Sequence, residues 1–277
     1  MLETVLGVEG LTLNHLMAKT SLFVQINHSS DSSFSHKPVG YASGFFFKYY
    51  EDFFFITADH VPHNEDYKNG KRIGSGDLIA VHTNKVDNKL LASIIAPMSG
   101  AYYFDTFDVN QTTEDLKPFD LCICKLNEEQ ITLDYYTQQI EFPGELLHAG
   151  ECKYAISPEF IEAPSKDDTY YIFGHIYSGN KGLMLQQIAV PQSNLKYIDT
   201  CGDYFLLNTK EEITSDKYWS GLSGSLVYNQ NGGCIGMLAS INVNSNSVWV
   251  LSFKSILALL DAVYRNEHSS NLSDSHM

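Results

Sequence analysis

Three residue types needed for acyl transfer recur through this chain in the order His60, Asp120 and Ser223. A serine hydroxyl is a poor nucleophile until a base takes its proton. The base works best when a carboxylate fixes its tautomer, and the oxyanion that forms needs N–H donors. Ser223 lies in Gly221-Leu222-Ser223-Gly224-Ser225, where small residues either let the chain turn or aim one hydroxyl and the N–H groups of Gly221 and Ser223 at one point. His60 closes the apolar run Phe53-Phe54-Phe55-Ile56-Thr57-Ala58, as a satisfied histidine or as a base held at a strand end. Asp120 opens Asp120-Leu121-Cys122-Ile123-Cys124, as a strand-end cap or as a carboxylate turned inward towards an imidazole N–H. His63 follows His60 by three residues, but Pro62 lies between them and the spacing is not that of a helical ligand pair, so no metal is expected. No cofactor motif is found.

The segments that must hold these residues read as strands. Runs rich in Phe, Tyr, Ile and Val at 21–27, 43–50, 52–58, 77–83, 90–97 and 120–126 are separated by Gly, Asn, Asp and Ser. A second set falls at 170–177, 183–191, 203–209, 224–229, 233–243 and 247–253. Two sets of about six strands predict an all-β chain of two six-stranded antiparallel barrels. Barrel one is expected over about 20–127, an acidic, turn-rich linker over about 128–152 and barrel two over about 153–253. Ile256, Leu257, Leu260 and Val263 have helical spacing and predict a C-terminal helix over about 254–267, with a polar, frayed tail at 269–277.

Composition narrows the classes. A chain of 277 residues with 44% hydrophobic content can bury a large core without staples. The balance of 18 Lys+Arg against 33 Asp+Glu, net −15, repels phosphate backbones and argues against a nucleic-acid partner. Cys122, Cys124, Cys152, Cys201 and Cys234 are odd in number and form no CxxC pair, so free thiols and a reducing, cytoplasmic setting are expected. The N-terminus has no basic region of a signal peptide, and no apolar run approaches the ~20 residues that would cross a bilayer, so no membrane partner is expected.

Taken together, the three motifs resemble those of trypsin-like, chymotrypsin-fold serine peptidases. Ile56-Thr57-Ala58-Asp59-His60-Val61 resembles their Thr-Ala-x-His element, Asp120 to Leu126 their Asp-Leu/Ile-Ala-Leu-Leu-Lys-Leu element, and Gly221 to Val227 their Gly-Asp-Ser-Gly-Gly-Pro element. The order His, Asp, Ser is also that of the family. Tyr41 to Phe47 resembles the Gly-Ser-Gly-Phe strand before the histidine strand, and 170–179, 232–240 and 249–260 resemble the second-barrel opening, the hairpin after the serine, and the final strand and helix. Coverage is roughly 20–265, and the chain is most similar to a bacterial HtrA/Deg-type protease domain without its PDZ module. The chain departs from the family at Leu222, where Asp or Asn is usual, at Ser225, where Gly is usual, and at Val61, where secreted relatives carry a disulfide cysteine. No Arg/Lys-Ile-Val-Gly-Gly activation signal occurs.

The resemblance implies a serine endopeptidase acting through a Ser223–His60–Asp120 triad and an acyl-enzyme, with Gly221 and Ser223 N–H groups as the oxyanion hole and a protein or peptide as substrate. An activating protein partner is an open expectation. So is the alternative of a catalytically silent binding module on the same fold, motivated by Leu222 and the missing activation signal. Lys217, six residues before Ser223, is expected at the specificity pocket, where a cation favours an acidic substrate side chain unless it faces solvent or pairs with Asp216. Ala239, Ser240 and Asn242 are the expected pocket walls by position.

Overall fold

The computed structural model describes residues 3–4, 10–34, 37–73, 76–87, 90–106, 117–181 and 184–273. The N-terminal half carries β1 (Glu3–Thr4), α1 (Leu13–Thr20), β2 (Leu22–Asn27), β3 (Gly40–Tyr49), β4 (Asp52–Thr57), α2 (Asn64–Asn69), β5 (Leu78–Asp87), β6 (Leu90–Met98), β7 (Ala101–Thr106) and β8 (Lys117–Lys125). A connecting region follows with α3 (Glu128–Thr132), β9 (Ile140–Phe142), β10 (Glu145–Leu147) and β11 (Tyr154–Ile156). The C-terminal half is β12 (Tyr170–Lys181), β13 (Met184–Cys201), β14 (Tyr204–Ile213), β15 (Leu226–Asn229), β16 (Cys234–Ile241), β17 (Ser245–Ser252) and α4 (Phe253–Ser273).

The mostly-β, chymotrypsin-like architecture expected from the strand runs is present as one closed six-stranded barrel and one curled half-barrel sheet. The second sheet is a closed barrel in the order β12-β13-β14-β17-β16-β15, and each of its six strands falls on a run marked in the sequence. Alternate residues such as Ile172, Leu207, Val227, Val248 and Val250 fill its interior. The first sheet differs from the closed six-stranded expectation. It runs β6-β5-β2-β3-β4-β8-β7 and curls into a half-barrel, with β7 as a seventh strand and no pairing between β6 and β7 among the described residues.

Strand β3 is the spine of this sheet. Residues 40–44 pair with β2, while Phe45–Tyr49 pair with β4, and Phe46 and Phe47 also take β11 in parallel on the edge that β2 leaves. An unbroken apolar run suits a strand covered on both faces, and Phe45, Phe46, Phe47, Phe54 and Phe55 are fully buried. Helix α4 supplies one cover. Phe253, Ile256, Leu259, Leu260 and Val263 form its buried stripe, and Phe253 meets Phe45 and Phe47 at ring separations of 6.3 and 5.9 Å. Tyr49 donates to Asp261 (2.6 Å), and Lys125 and Tyr102 bond Glu267, so the helix is fastened to the first sheet although it follows the second.

Three further details differ from the sequence reading. Strand β11 joins the first sheet, so the chain does not pass into barrel two at about 153; that barrel begins at Tyr170. The connecting region is not plain linker, since Asn127 and Gln130 form a reciprocal cap on α3 and β9–β10 form a hairpin. Helix α4 also runs on to Ser273, into the segment expected to fray.

Candidate active site

The register of the first sheet brings His60 to Asp120. β4 and β8 pair antiparallel with Thr57 opposite Cys122, and two more residues in that register set Asp120 beside Asp59 and His60. His60 Nδ1 lies 2.9 and 3.1 Å from the two oxygens of Asp120, and the His60 backbone N–H donates to the same carboxylate at 3.1 Å. A carboxylate on Nδ1 keeps the proton there and leaves the Nε2 lone pair free to act as a base. Burial works to lower the His60 pKa, but the charge and hydrogen bond of Asp120 outweigh it, and the net direction is upward. Tyr67 of α2 sets its ring edge-on to the imidazole at 5.7 Å, and burial together with the charges of Asp120 and Asp59 holds its phenol protonated. From barrel two, Tyr204 approaches Asp120; burial and that charge push its phenol up to about 12.

A second ionic group lies behind this pair. Asp59, fully buried, bonds His63 Nδ1 at 2.7 Å and meets Arg72 at 2.6 Å; Arg72 also reaches Asp66 (3.1 Å) and Asp105 (2.6 Å) and lies over the Tyr103 ring. His60 and His63 are therefore committed to different carboxylates. The Arg72 group pins α2, and with it Tyr67, against the His60 side of the cleft.

Ser223 comes from the other barrel, on the turn between β14 and β15. The backbone of that turn is held by hydrogen bonds within it, Ser220 N–H to Asp216 O, Leu222 N–H to Trp219 O and Ser225 N–H to Leu222 O, and by one to β16, Gly224 N–H to Leu238 O. Gly221 and Ser223 are skipped. Among the described residues their N–H groups have no acceptor, while those of their neighbours are all used. Gly221 sits at φ +100°, a conformation open to glycine. Leu222 is fully buried in the barrel-two core, so an apolar side chain roots the turn where the resembled family places a carboxylate or amide.

One residue ties this turn to the first sheet. Ser43, on β3, donates its backbone N–H to Ser223 O (3.0 Å) and its hydroxyl to Gly221 O (2.8 Å). The Ser43 carbonyl in turn accepts from Thr57 Oγ1 at 2.7 Å, linking the strand that leads to His60. Gly224, at φ +90°, passes so close to this point that a Cβ there would lie 2.1 Å from Ser43 O. The turn and the histidine strand are thus both referenced to one backbone position.

His60, Gly221, Ser223 and Ser220 line one open cleft of about 610 Å³, with Tyr41, Val61 and Glu65 also on its walls. No hydrogen bond joins Ser223 Oγ to His60 among the described residues. Lys217 does not line that cleft. It is exposed, stacks over the Tyr218 ring and lines an adjoining cavity of about 490 Å³. The expected companions do not join it: Ala239 is buried in the barrel, Ser240 and Asn242 are exposed, and none of the three lines either cavity.

No protein-family model and no curated protein matches this chain. Solved structures do. GrC aligns at 11% identity over 90% of this chain and 95% of its own, TM-score 0.48. The Rv3671c protease from M. tuberculosis in its active form aligns at 13% over 90% and 82%, TM-score 0.43. Catalytically inactive tobacco etch virus protease complexed with substrate aligns at 10% over 85% and 78%, TM-score 0.39.

Ser43, Tyr67, Arg72 and Tyr204 were not marked by sequence reasoning. The Ser43 contacts span 178 positions, and no local pattern signals them. Arg72 did carry a signal: with Lys+Arg at 18 in an acidic chain, an arginine close after Asp59, Glu65 and Asp66 is a candidate for a charge-paired interior.

Proposed function

We propose that this chain is a serine endopeptidase. The observation that carries the reading is the convergence, on one cleft, of a histidine oriented by a carboxylate, a serine on a rooted turn, and two N–H groups without acceptors among the described residues, that of the serine itself and that of Gly221 two residues before it. In the proposed reaction His60 Nε2 takes the proton from Ser223 Oγ as that oxygen bonds to the peptide carbonyl carbon. The carbonyl oxygen becomes the oxyanion and is held by Gly221 N–H and Ser223 N–H. Such a donor contributes about 3–4 kcal/mol to the transition state. His60 then gives its proton to the leaving amine, and a water activated by the same nitrogen releases the acyl group. Asp120 keeps the tautomer and balances the imidazolium throughout.

Leu222 bears on activation. Its burial roots the turn in the barrel-two core through an apolar side chain, so the proposed activity needs no ion pair from that position. Buried free Cys122, Cys124 and Cys234 support a reducing, cytoplasmic setting. The affinity to HtrA/Deg-type domains rests on the motif residues alone.

The test is active-site labelling. A fluorophosphonate should label the wild type and not Ser223→Ala, and Ser223→Ala should keep its thermal midpoint while peptide cleavage falls by several orders of magnitude. Equal labelling of both proteins would remove the assignment and leave the silent binding module as the better reading.

A further inference from the structure

The cavity next to the cleft shares Val39, Gly40, Tyr41 and Ser220 with it, so a chain lying along Ser223 continues past Ser220 into it. Its charge is unlike that of the rest of the molecule. In a protein of net charge −15 the described residues that line this cavity include two lysines, Lys37 and Lys217, and no acidic residue. The cleft beside Ser223, in contrast, carries Glu65 and Asp77 together with Lys68, which pairs with Glu65. Among the described residues the Lys and Arg side chains engaged in ion pairs are Lys19, Lys68, Arg72 and Lys125, so neither cavity lysine is neutralised by a carboxylate. One wall is rigid. Tyr41 stacks on Tyr177 at 4.6 Å and 21°, and on Phe23 at 5.1 Å on its other face. Lys37 arrives from the segment before β3 and Lys217 from the turn before Ser223, so the site exists only where the two halves meet.

We propose that this cavity is a specificity subsite that seats an acidic side chain of the peptide substrate, close along the chain from the cut bond. The stacked Tyr41–Tyr177 pair forms one apolar wall against the aliphatic stem while the Lys37 and Lys217 ammonium groups take the carboxylate. The proposal rests on the endopeptidase reading and replaces Ala239, Ser240 and Asn242 with Lys37, Tyr41 and Tyr177 as the companions of Lys217.

The probes are fluorescein-labelled peptide pools, randomised in Ala, Ser, Leu and Phe, with Glu or Gln fixed at one position in turn. Cleavage is measured with the wild type, Lys37→Gln, Lys217→Gln and the double variant, and binding by anisotropy with Ser223→Ala. Two partly exposed charge pairs give a Glu-over-Gln preference of about tenfold in kcat/KM at one position. The preference should fall stepwise to below about twofold in the double variant. Lys37→Glu with Lys217→Glu should reverse it in favour of a Lys-bearing pool. Absence of any Glu preference in the wild type, or its survival in the double variant, overturns the subsite. If the fluorophosphonate fails to label the wild type, the endopeptidase reading falls, and binding to Ser223→Ala decides the subsite alone: tighter binding of a Glu pool upholds it and equal binding of Glu and Gln pools overturns it.

Discussion

Gly224→Ala tests how the two halves are held in register. A Cβ at this position would lie 2.1 Å from Ser43 O and 2.6 Å from Thr57 Oγ1. Real Cβ contacts do not fall below 3.0 Å, so the turn must retreat from β3 by about 0.9 Å, the difference between 3.0 and 2.1 Å. The φ of +90° adds backbone strain of about 1–3 kcal/mol for a residue with a side chain. Displacing the buried Thr57–Ser43 hydrogen bond adds about 1 kcal/mol. Together the variant should lose about 2–4 kcal/mol of stability. Misplacing a nucleophile by roughly 1 Å costs about 100-fold in rate, so fluorophosphonate labelling of Ser223 should slow by that order. Gly144→Ala is the control. Gly144 has φ +83°, and a Cβ added there would meet no atom within 4 Å, so it carries the strain without the collision. Urea midpoints and labelling rates of both variants separate the two effects. If Gly224→Ala labels as fast as Gly144→Ala, the turn is not pressed against β3 and the argument from Ser43 fails.

Other outcomes follow from the same geometry. Catalysis needs His60 neutral, and its raised pKa moves the acid limb of kcat/KM above the ordinary histidine value of about 6.5. Asp120→Asn removes the larger raising charge and leaves burial against the weaker pull of Asp59, so the limb should move down from its wild-type position while kcat falls about 10⁴-fold; an unmoved limb in the pH profile would dissociate Asp120 from His60. Lys153, buried and bonded to Ala18 O and Ser21 O, is pushed by burial down to about 7. The unfolded chain then binds the extra proton above pH 7, so stability should rise with pH by up to about 4 kcal/mol between 7 and 10, and Lys153→Met should flatten this slope in urea titrations. Leu222→Asp places an unpaired carboxylate in the barrel-two core and should cost about 3 kcal/mol or more, whereas Leu222→Met should cost less than about 1.5 kcal/mol; equal midpoints would show that the turn is not rooted there.

The strands of barrel two were legible because each contains a short apolar run bounded by turn residues, and periodicity reads such runs directly; the polar stretch 192–201 by which β13 continues to Cys201 carries no such pattern. Strand β7 was not, since Ala101-Tyr102-Tyr103-Phe104-Asp105-Thr106 is short, and its pairing with β8 depends on partners well beyond its own sequence. Helix α1 has local signals, with Thr12 accepting from His15 N–H and Leu13, Leu16 and Met17 at helical spacing, but in a segment whose other features are those of an N-terminus rather than an element. His60, Asp120 and Ser223 were legible as types in an order. Their meeting was not, because it depends on the β4–β8 register and on Ser43, both long-range. Position six before the serine gave Lys217 but not its surroundings, since the 215–220 turn carries the side chain out to the Lys37 cavity.

The Ser43 latch has a consequence for the order of synthesis. The ribosome makes Ser43, His60 and Asp120 early, and Ser223 only after more than half the chain is complete. A first sheet that folds alone owns a base and an empty socket, and a free second barrel owns a hydroxyl without a base. On the proposed roles, no length that stops short of Ser223 can cleave, and cleavage begins only when the second barrel closes its turn over β3. The junction makes the proposed activity a property of the joined halves: separating them parts the base from the hydroxyl, and neither half alone carries both.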